Sequence, residues 1–172
     1  MRSLAYQNTR ELGGAGSVLA RQKRDHIKLD RLLRELDAAQ PAQQGAVLRR
    51  IYRLVFPHAF AEESVLWPAI RKVLPDGEQL TLQIEQEHQE VNELVTRLEG
   101  TNADDSGRSA TINRLVEVLR EDVRDEEDVL LPRLQDRLSR RRLQILGLAW
   151  EVVRRIAPTR AHPMVARRPP GN

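Results

Sequence analysis

Two blocks of the chain, 58–68 and 122–132, place chemically capable side chains at matching spacings. The first reads His58-Ala59-Phe60-Ala61-Glu62-Glu63-Ser64-Val65-Leu66-Trp67-Pro68, the second Asp122-Val123-Arg124-Asp125-Glu126-Glu127-Asp128-Val129-Leu130-Leu131-Pro132. In each, a residue able to hold a metal ion or a proton stands four positions before a glutamate. In a helix that spacing puts both groups on one face, about one turn apart. A further histidine beside an acid precedes each block: Asp25-His26, with His26 32 residues before His58, and Glu87-His88, with His88 34 residues before Asp122. Three of the four histidines thus fall inside one repeated pattern. Such a cluster can bind one cation while its carboxylates reach a second, as in the two-metal sites of helical bundles. The neighbours are apolar: Val55, Phe60, Val65, Leu66 and Trp67 around the first block, Leu119, Val123, Val129 and Leu130 around the second. Carboxylates buried there cost several kcal/mol per ion unless a cation compensates them.

The elements that must position these groups read as helices throughout. A first helix is expected over 17–39, with Ser17 as N-cap and a stripe of Ile27, Leu29, Leu32, Leu33 and Leu36. A second opens at Pro41 and carries Val47, Leu48, Ile51, Val55, Val65, Leu66 and Ile70, with a kink or restart expected at Pro57 and Pro68. Pro75-Asp76-Gly77 marks a turn. A third helix follows over 78–99, a polar loop over 100–107, and a fourth helix over 109–134, interrupted at Pro132. Short connections make successive helices antiparallel neighbours, giving an all-α, up-down-up-down four-helix bundle over 17–135. An additional helix over 137–157, with Leu143, Leu146, Ala149, Trp150 and Val153 on one side, packs outside the bundle or caps one end. Residues 1–16, closing on Gly13-Gly14-Ala15-Gly16, form a flexible arm. Residues 158–172, a Pro- and Arg-rich tail holding four of the nine prolines, are extended or disordered.

Composition narrows the classes. With 172 residues, 40% of them hydrophobic, the chain can bury a single core, and 31% charged residues suit helices with one solvated face. Arginine supplies nearly all the cations and holds the isoelectric point near 9.8, but acids nearly match it and the net charge is only +3. Charge therefore does not call for a nucleic-acid partner. The basic residues Arg140-Arg141-Arg142 and Arg154-Arg155 read as a solvated helix face. The absence of cysteine excludes disulfides, iron–sulfur ligation and thiolate zinc. No apolar run is long enough to span a membrane, and 1–16 lacks the apolar core of a signal peptide, so no membrane partner is expected and the cytoplasm is the default compartment.

The pattern of a histidine, a His-x-x-x-Glu, a second histidine and a further x-x-x-Glu block resembles the hemerythrin-like HHE cation-binding domain over roughly 20–135. The resemblance implies a non-haem di-iron site reactive toward oxygen, peroxide or nitric oxide. Its two iron ions would be oxo- or hydroxo-bridged and further bridged by the two glutamates, with manganese or zinc able to substitute. It assigns His26, His58, Glu62, His88 and Glu126 as ligands. Asp122 stands where the family has its fourth histidine. If Asp122 ligates, the centre is one charge less positive, which favours ferric iron and shifts expectation from oxygen carriage toward catalase- or peroxidase-like chemistry. If Asp122 is too short, a position stays open for water or substrate.

Around this set, Glu63 and Glu127 are expected on a solvated face or behind the ligands. Asp25, Glu87 and Asp125 are read as surface charges or as partners that orient imidazoles. Tyr52, Phe56, Phe60 and Trp67 read as packing, with Tyr52 at the edge of the metal pocket, and His162, in the tail, is no ligand. Two other functions fit the sequence: an iron- or redox-sensing module that signals through its C-terminal helix, and a bundle that has lost its metal. Sequence fixes neither the oligomeric state nor the physiological ligand.

Overall fold

A computed structural model describes residues 2–102 and 105–159. Over these residues the chain is all-helical, without strands. The tail expected to be extended, from residue 160 on, and with it His162, lies outside the described residues.

Helix α1 spans Val18–Ala38, and the Ser17 side chain accepts a hydrogen bond from the Ala20 N–H at 3.2 Å, as an N-cap does. Leu29, Leu32, Leu33 and Leu36 are buried along it, whereas Ile27 is 45% exposed and drops out of the expected stripe. Helix α2, Pro41–Ala61, opens with proline at its first position, where the missing N–H costs nothing. It runs through Pro57 without a break; the carbonyl this proline frees belongs to Arg53, an exposed residue at which water can replace the lost donor.

Pro68 acts differently. The five residues Glu62–Leu66 form a π-helical turn, closed by the Trp67 N–H donating to the Glu62 carbonyl, before α3 resumes over Trp67–Val73. The proline has no N–H for the Ser64 carbonyl, and its ring crowds that carbonyl, so the helix opens by one residue ahead of it. The same event recurs in the second half. After α4 (Gly77–Glu99), α5 spans Arg108–Asp125, a π turn covers Glu126–Leu130, and α6 follows over Leu131–Arg137 with Pro132 at its second position. Helix α7 covers Arg140–Ile156, with Ser139 as its N-cap.

Helix α1 packs on α2, α4 on α5, and α3 on α4. Helix α7 lies against α1, α2 and the first π turn. Residues 2–16, expected as a flexible arm, lie against the bundle: Leu4 and Leu12 are buried, and the Gln7 amide bonds to Gln135 at 2.9 Å. Two apolar side chains that find a core are what hold this segment down. At its end, Gly13 and Gly14 take left-handed φ values of 88° and 97°, which turn the chain so that the Gly13 carbonyl meets Arg140 and Gln144 of α7.

The apolar interior falls into two clusters. One gathers side chains such as Leu33, Ile51, Val95 and Leu115; the other gathers Leu19, Leu66, Trp67, Leu131 and Trp150. Between them lies a layer of buried polar residues, among them His26, Glu62, His88 and Glu126.

Candidate metal centre

The six residues singled out from the repeat meet in that layer. His26 comes from α1, His58 from α2, Glu62 from the first π turn, His88 from α4, Asp122 from α5 and Glu126 from the second π turn. Ligand-type atoms of His26, His58, Glu62 and Glu126 lie within 4.8 Å of one another, and so do those of His88, Asp122 and Glu126. Glu126 belongs to both groups. Glu62 also reaches both halves, with Oε1 3.0 Å from His58 Nε2 and Oε2 3.6 Å from His88 Nε2. Asp122 faces the same space, its Oδ1 3.8 Å from His88 Nε2.

Each histidine turns its other ring nitrogen to a carboxylate behind it. His26 Nδ1 lies 2.9 Å from Glu127, His58 Nδ1 3.2 Å from Asp25, and His88 Nδ1 2.8 Å from Glu63. A carboxylate at Nδ1 takes that N–H and leaves the Nε2 lone pair facing the cluster, the orientation a metal-binding imidazole needs. The π turns make this arrangement. Glu62 and Glu126 point into the cluster at 0% and 1% exposure, while the next residue in each, Glu63 or Glu127, reaches the histidine of the opposite hairpin.

No ligand-free protein would favour such a set on its own. Both oxygens of Glu62, one each of Glu126 and Asp122, and His26 Nε2 are buried without a hydrogen-bond partner. Unpartnered buried carboxylate oxygens carry a large desolvation cost, and a divalent cation removes it. The chemistry of the donor set, imidazole nitrogens with carboxylate oxygens and no thiolate, suits iron, manganese or zinc. Burial and the neighbouring Glu126 push the Asp122 carboxyl well up, and burial with Glu62 beside it raises Glu126. Burial also opposes ionisation of Glu62, but the adjoining His58 prevails and holds it down to about 2. For His26, burial disfavours the charge, yet contacts with Glu126 and Glu127 raise it to about 9; in the same way Glu63, Asp122 and Glu62 take His88 to about 10.

These shifts set a pH dependence. An unfolded histidine titrates near ~6.5, so the stability that His26 and His88 contribute to the metal-free fold is complete below that value. It is lost as pH rises through about 9 and about 10. Cation binding needs both imidazoles neutral and must expel their protons. Adding ferrous ion to the metal-free protein at neutral pH in weak buffer should therefore acidify the solution, and uptake without acidification would remove these histidines from the binding set.

Other expectations resolve here. Asp25 is an imidazole partner; Glu87 and Asp125 are not, Asp125 instead accepting from Gln83 at 3.0 Å. Tyr52 packs on Phe56 with ring centroids 5.9 Å apart, inside the apolar core and away from the cluster. Phe60, expected in the packing, is 44% exposed. Two tryptophans contact ligand-type histidines: Trp67 stacks on His88 at 6.3 Å and 20°, and Trp150 of α7 meets His58 edge-on. The role of Trp150 was hidden in the sequence, because nothing local tells which helix its own helix will pack on. A cavity of about 20 Å³ touches His26, His58, His88 and Asp122 and is roofed by Leu29, Leu54, Val55 and Leu119. A second of about 40 Å³, walled by Val55, Phe56, Ala59, Phe60, Val91 and Leu119, reaches His88 and Asp122.

A helical fold that gathers three imidazoles and three carboxylates, four of the six buried, between two apolar clusters defines a cation-binding helical domain. The chain belongs to the hemerythrin HHE cation binding domain family, whose model matches residues 17–134. It is 27% identical over 114 residues to an uncharacterized hemerythrin-like protein of Schizosaccharomyces pombe, a match covering 66% of this chain and 56% of that protein. It is also 27% identical over 116 residues to a DNA nickase of Nostoc, covering 67% of this chain and 32% of that protein. The chain thus spans about half and about a third of the lengths of these curated relatives. No solved structure matches it significantly. Among the described residues no helix is long and apolar enough to cross a membrane.

Proposed function

We propose that the chain is a non-haem di-iron protein that binds or consumes a small oxidant: oxygen, peroxide or nitric oxide. The ligand set is His26, His58, Glu62, His88, Asp122 and Glu126. The supporting topology is an antiparallel up-down-up-down bundle over 17–135, with 137–157 as an additional helix. The observation that carries the proposal is Glu62, whose two buried oxygens face His58 and His88, one from each hairpin. A carboxylate so divided suits two cations better than one. Held by these residues, iron would supply one-electron redox chemistry. The chain's own contribution is to fix three imidazoles through Glu127, Asp25 and Glu63 and to shield the cluster with aliphatic side chains. The pocket at His88 and Asp122, about 40 Å³ in volume, has room for a diatomic or a peroxide. Asp122 supplies an anionic oxygen where the family has an imidazole, which favours oxidised iron and hence peroxide consumption over reversible oxygen carriage. The match to the nickase covers a third of that protein, so its DNA chemistry is not carried over to this chain.

Elemental analysis of protein expressed with iron tests this. About two irons per chain are expected, lost on His58→Ala, with the near-ultraviolet iron bands shifted on Asp122→His. A parent protein free of metal would instead identify a bundle that keeps the family fold without its chemistry.

A further inference from the structure

Helix α7 begins after residue 134, where the family match ends, yet two of its side chains converge on one histidine of the centre. Trp150, 1% exposed, presents its ring to His58 with centroids 5.4 Å apart and planes at 86°. One helical turn on, the Arg154 guanidinium lies 5.3 Å from the centre of the Trp150 ring. Its Nη1 is 3.9 Å from Asp25 Oδ2, the same oxygen that lies 3.2 Å from His58 Nδ1. Arg154 is itself held by Glu151 at 3.3 Å, and Glu151 also binds Arg21 of α1 at 2.8 Å. His58 is therefore restrained twice from α7, directly by Trp150 and through Asp25 by Arg154. The other two histidines lack this support. Among the described residues the ion pairs of Glu127 and Glu63 are with histidines alone. The tryptophan beside His88 comes from α3, within the matched region.

We propose that α7 is a functional part of the metal centre, with Trp150 and Arg154 as positioning residues that hold His58 and Asp25 for one of its two cations. The inference rests on the two-cation proposal above. An imidazole fixed by an aromatic edge on its side and a held carboxylate at Nδ1 cannot swing its Nε2 off the cluster. Partners of this kind behind a metal ligand change affinity by about 10- to 100-fold when removed. Because only the His58 side is held in this way, the two cation positions are made unequal by a helix outside the family's matched region.

The experiment is anaerobic titration of the full-length, metal-free protein with ferrous ion, followed by calorimetry, for the parent, Arg154→Met and Arg154→Lys. The metal-free Tm of each variant is read alongside, so that a general loss of packing is told apart from a loss confined to one binding event. Arg154→Met should weaken one of the two binding events about tenfold and leave the other near the parent value. Arg154→Lys, which restores a cation beside Asp25, should recover most of the loss. Two unchanged binding events in Arg154→Met would overturn the proposal while leaving the two-cation proposal standing. Equal weakening of both events, or a fall in metal-free Tm to match, would make α7 a plain buttress and overturn it as well. A parent that takes up no ferrous ion would defeat both.

Discussion

On the two-cation proposal, replacing Glu62 by glutamine should leave at most one ion bound per chain and should remove most of the stability that metal confers. Glutamine keeps the volume and the hydrogen-bonding shape of the side chain, so the bundle has no cavity to collapse into. What it removes is the charge, and with it the ability of one side chain to neutralise cations on both of its oxygens. Those oxygens now lie 3.0 Å from His58 Nε2 and 3.6 Å from His88 Nε2. Glu126, the other carboxylate shared by both groups, would be left as the sole charged link between them. A metal bound a thousandfold above its dissociation constant stabilises the folded state by about 4 kcal/mol. For a chain of this length that corresponds to roughly 8–16 °C in Tm. Metal analysis and thermal melts of the loaded parent and Glu62→Gln read both effects. If Glu62→Gln kept the parent's metal content, the two halves would be joined by some other group.

The largest effect away from the cluster is expected at Gly147. A Cβ at this position of α7 would lie 2.1 Å from the Gly16 carbonyl oxygen, 2.7 Å from the Val18 nitrogen and 2.8 Å from the Ser17 carbonyl carbon. All three are backbone atoms at the start of α1, so no side chain can swing aside to make room. Gly147→Ala must push α7 off α1 or displace the Ser17 cap. Overpacking of this kind costs on the order of 3 kcal/mol, or roughly 6–12 °C for a domain of this size. Because Trp150 lies one turn further along the same helix, the displacement should also loosen His58 and weaken cation uptake. A melt of Gly147→Ala within about two degrees of the parent would show that α7 can shift freely on α1, against the close backbone contact described here.

Much of this was legible in the residues. The eleven-residue repeat placed His58, Glu62, Asp122 and Glu126 on two helices, and the histidine ahead of each block completed a set that the fold brings together. The layer behind them was harder to read. On a regular α-helix adjacent residues point about 100° apart, so Glu63 beside an inward Glu62 reads as a surface residue or an indirect partner. The opened π turn, and the crossing to the opposite hairpin, are what bring it to His88. Pro68 and Pro132 signalled a disturbance, but proline chemistry alone does not choose between a kink and an inserted residue. Pro57, whose freed carbonyl lies at an exposed residue, disturbed nothing. The contribution of α7 could not be read at all, since it depends on which surface that helix lies against.

The two π turns also change what the chain must preserve. Ser64 and Asp128 sit within them and are exposed, so the identities of their side chains are free to drift. Their presence is not. A π turn holds one residue more than the α turn it replaces, so deleting one residue from either turn would restore ordinary helical winding and leave the helix beyond it in phase. What it would undo is the spread within the turn, where one glutamate faces the cluster and the next, Glu63 or Glu127, reaches the histidine of the opposite hairpin. The count of residues between each inward glutamate and its proline therefore sets the layer behind the histidines, and an insertion or deletion there weighs more than an exchange of letters at Ser64 or Asp128.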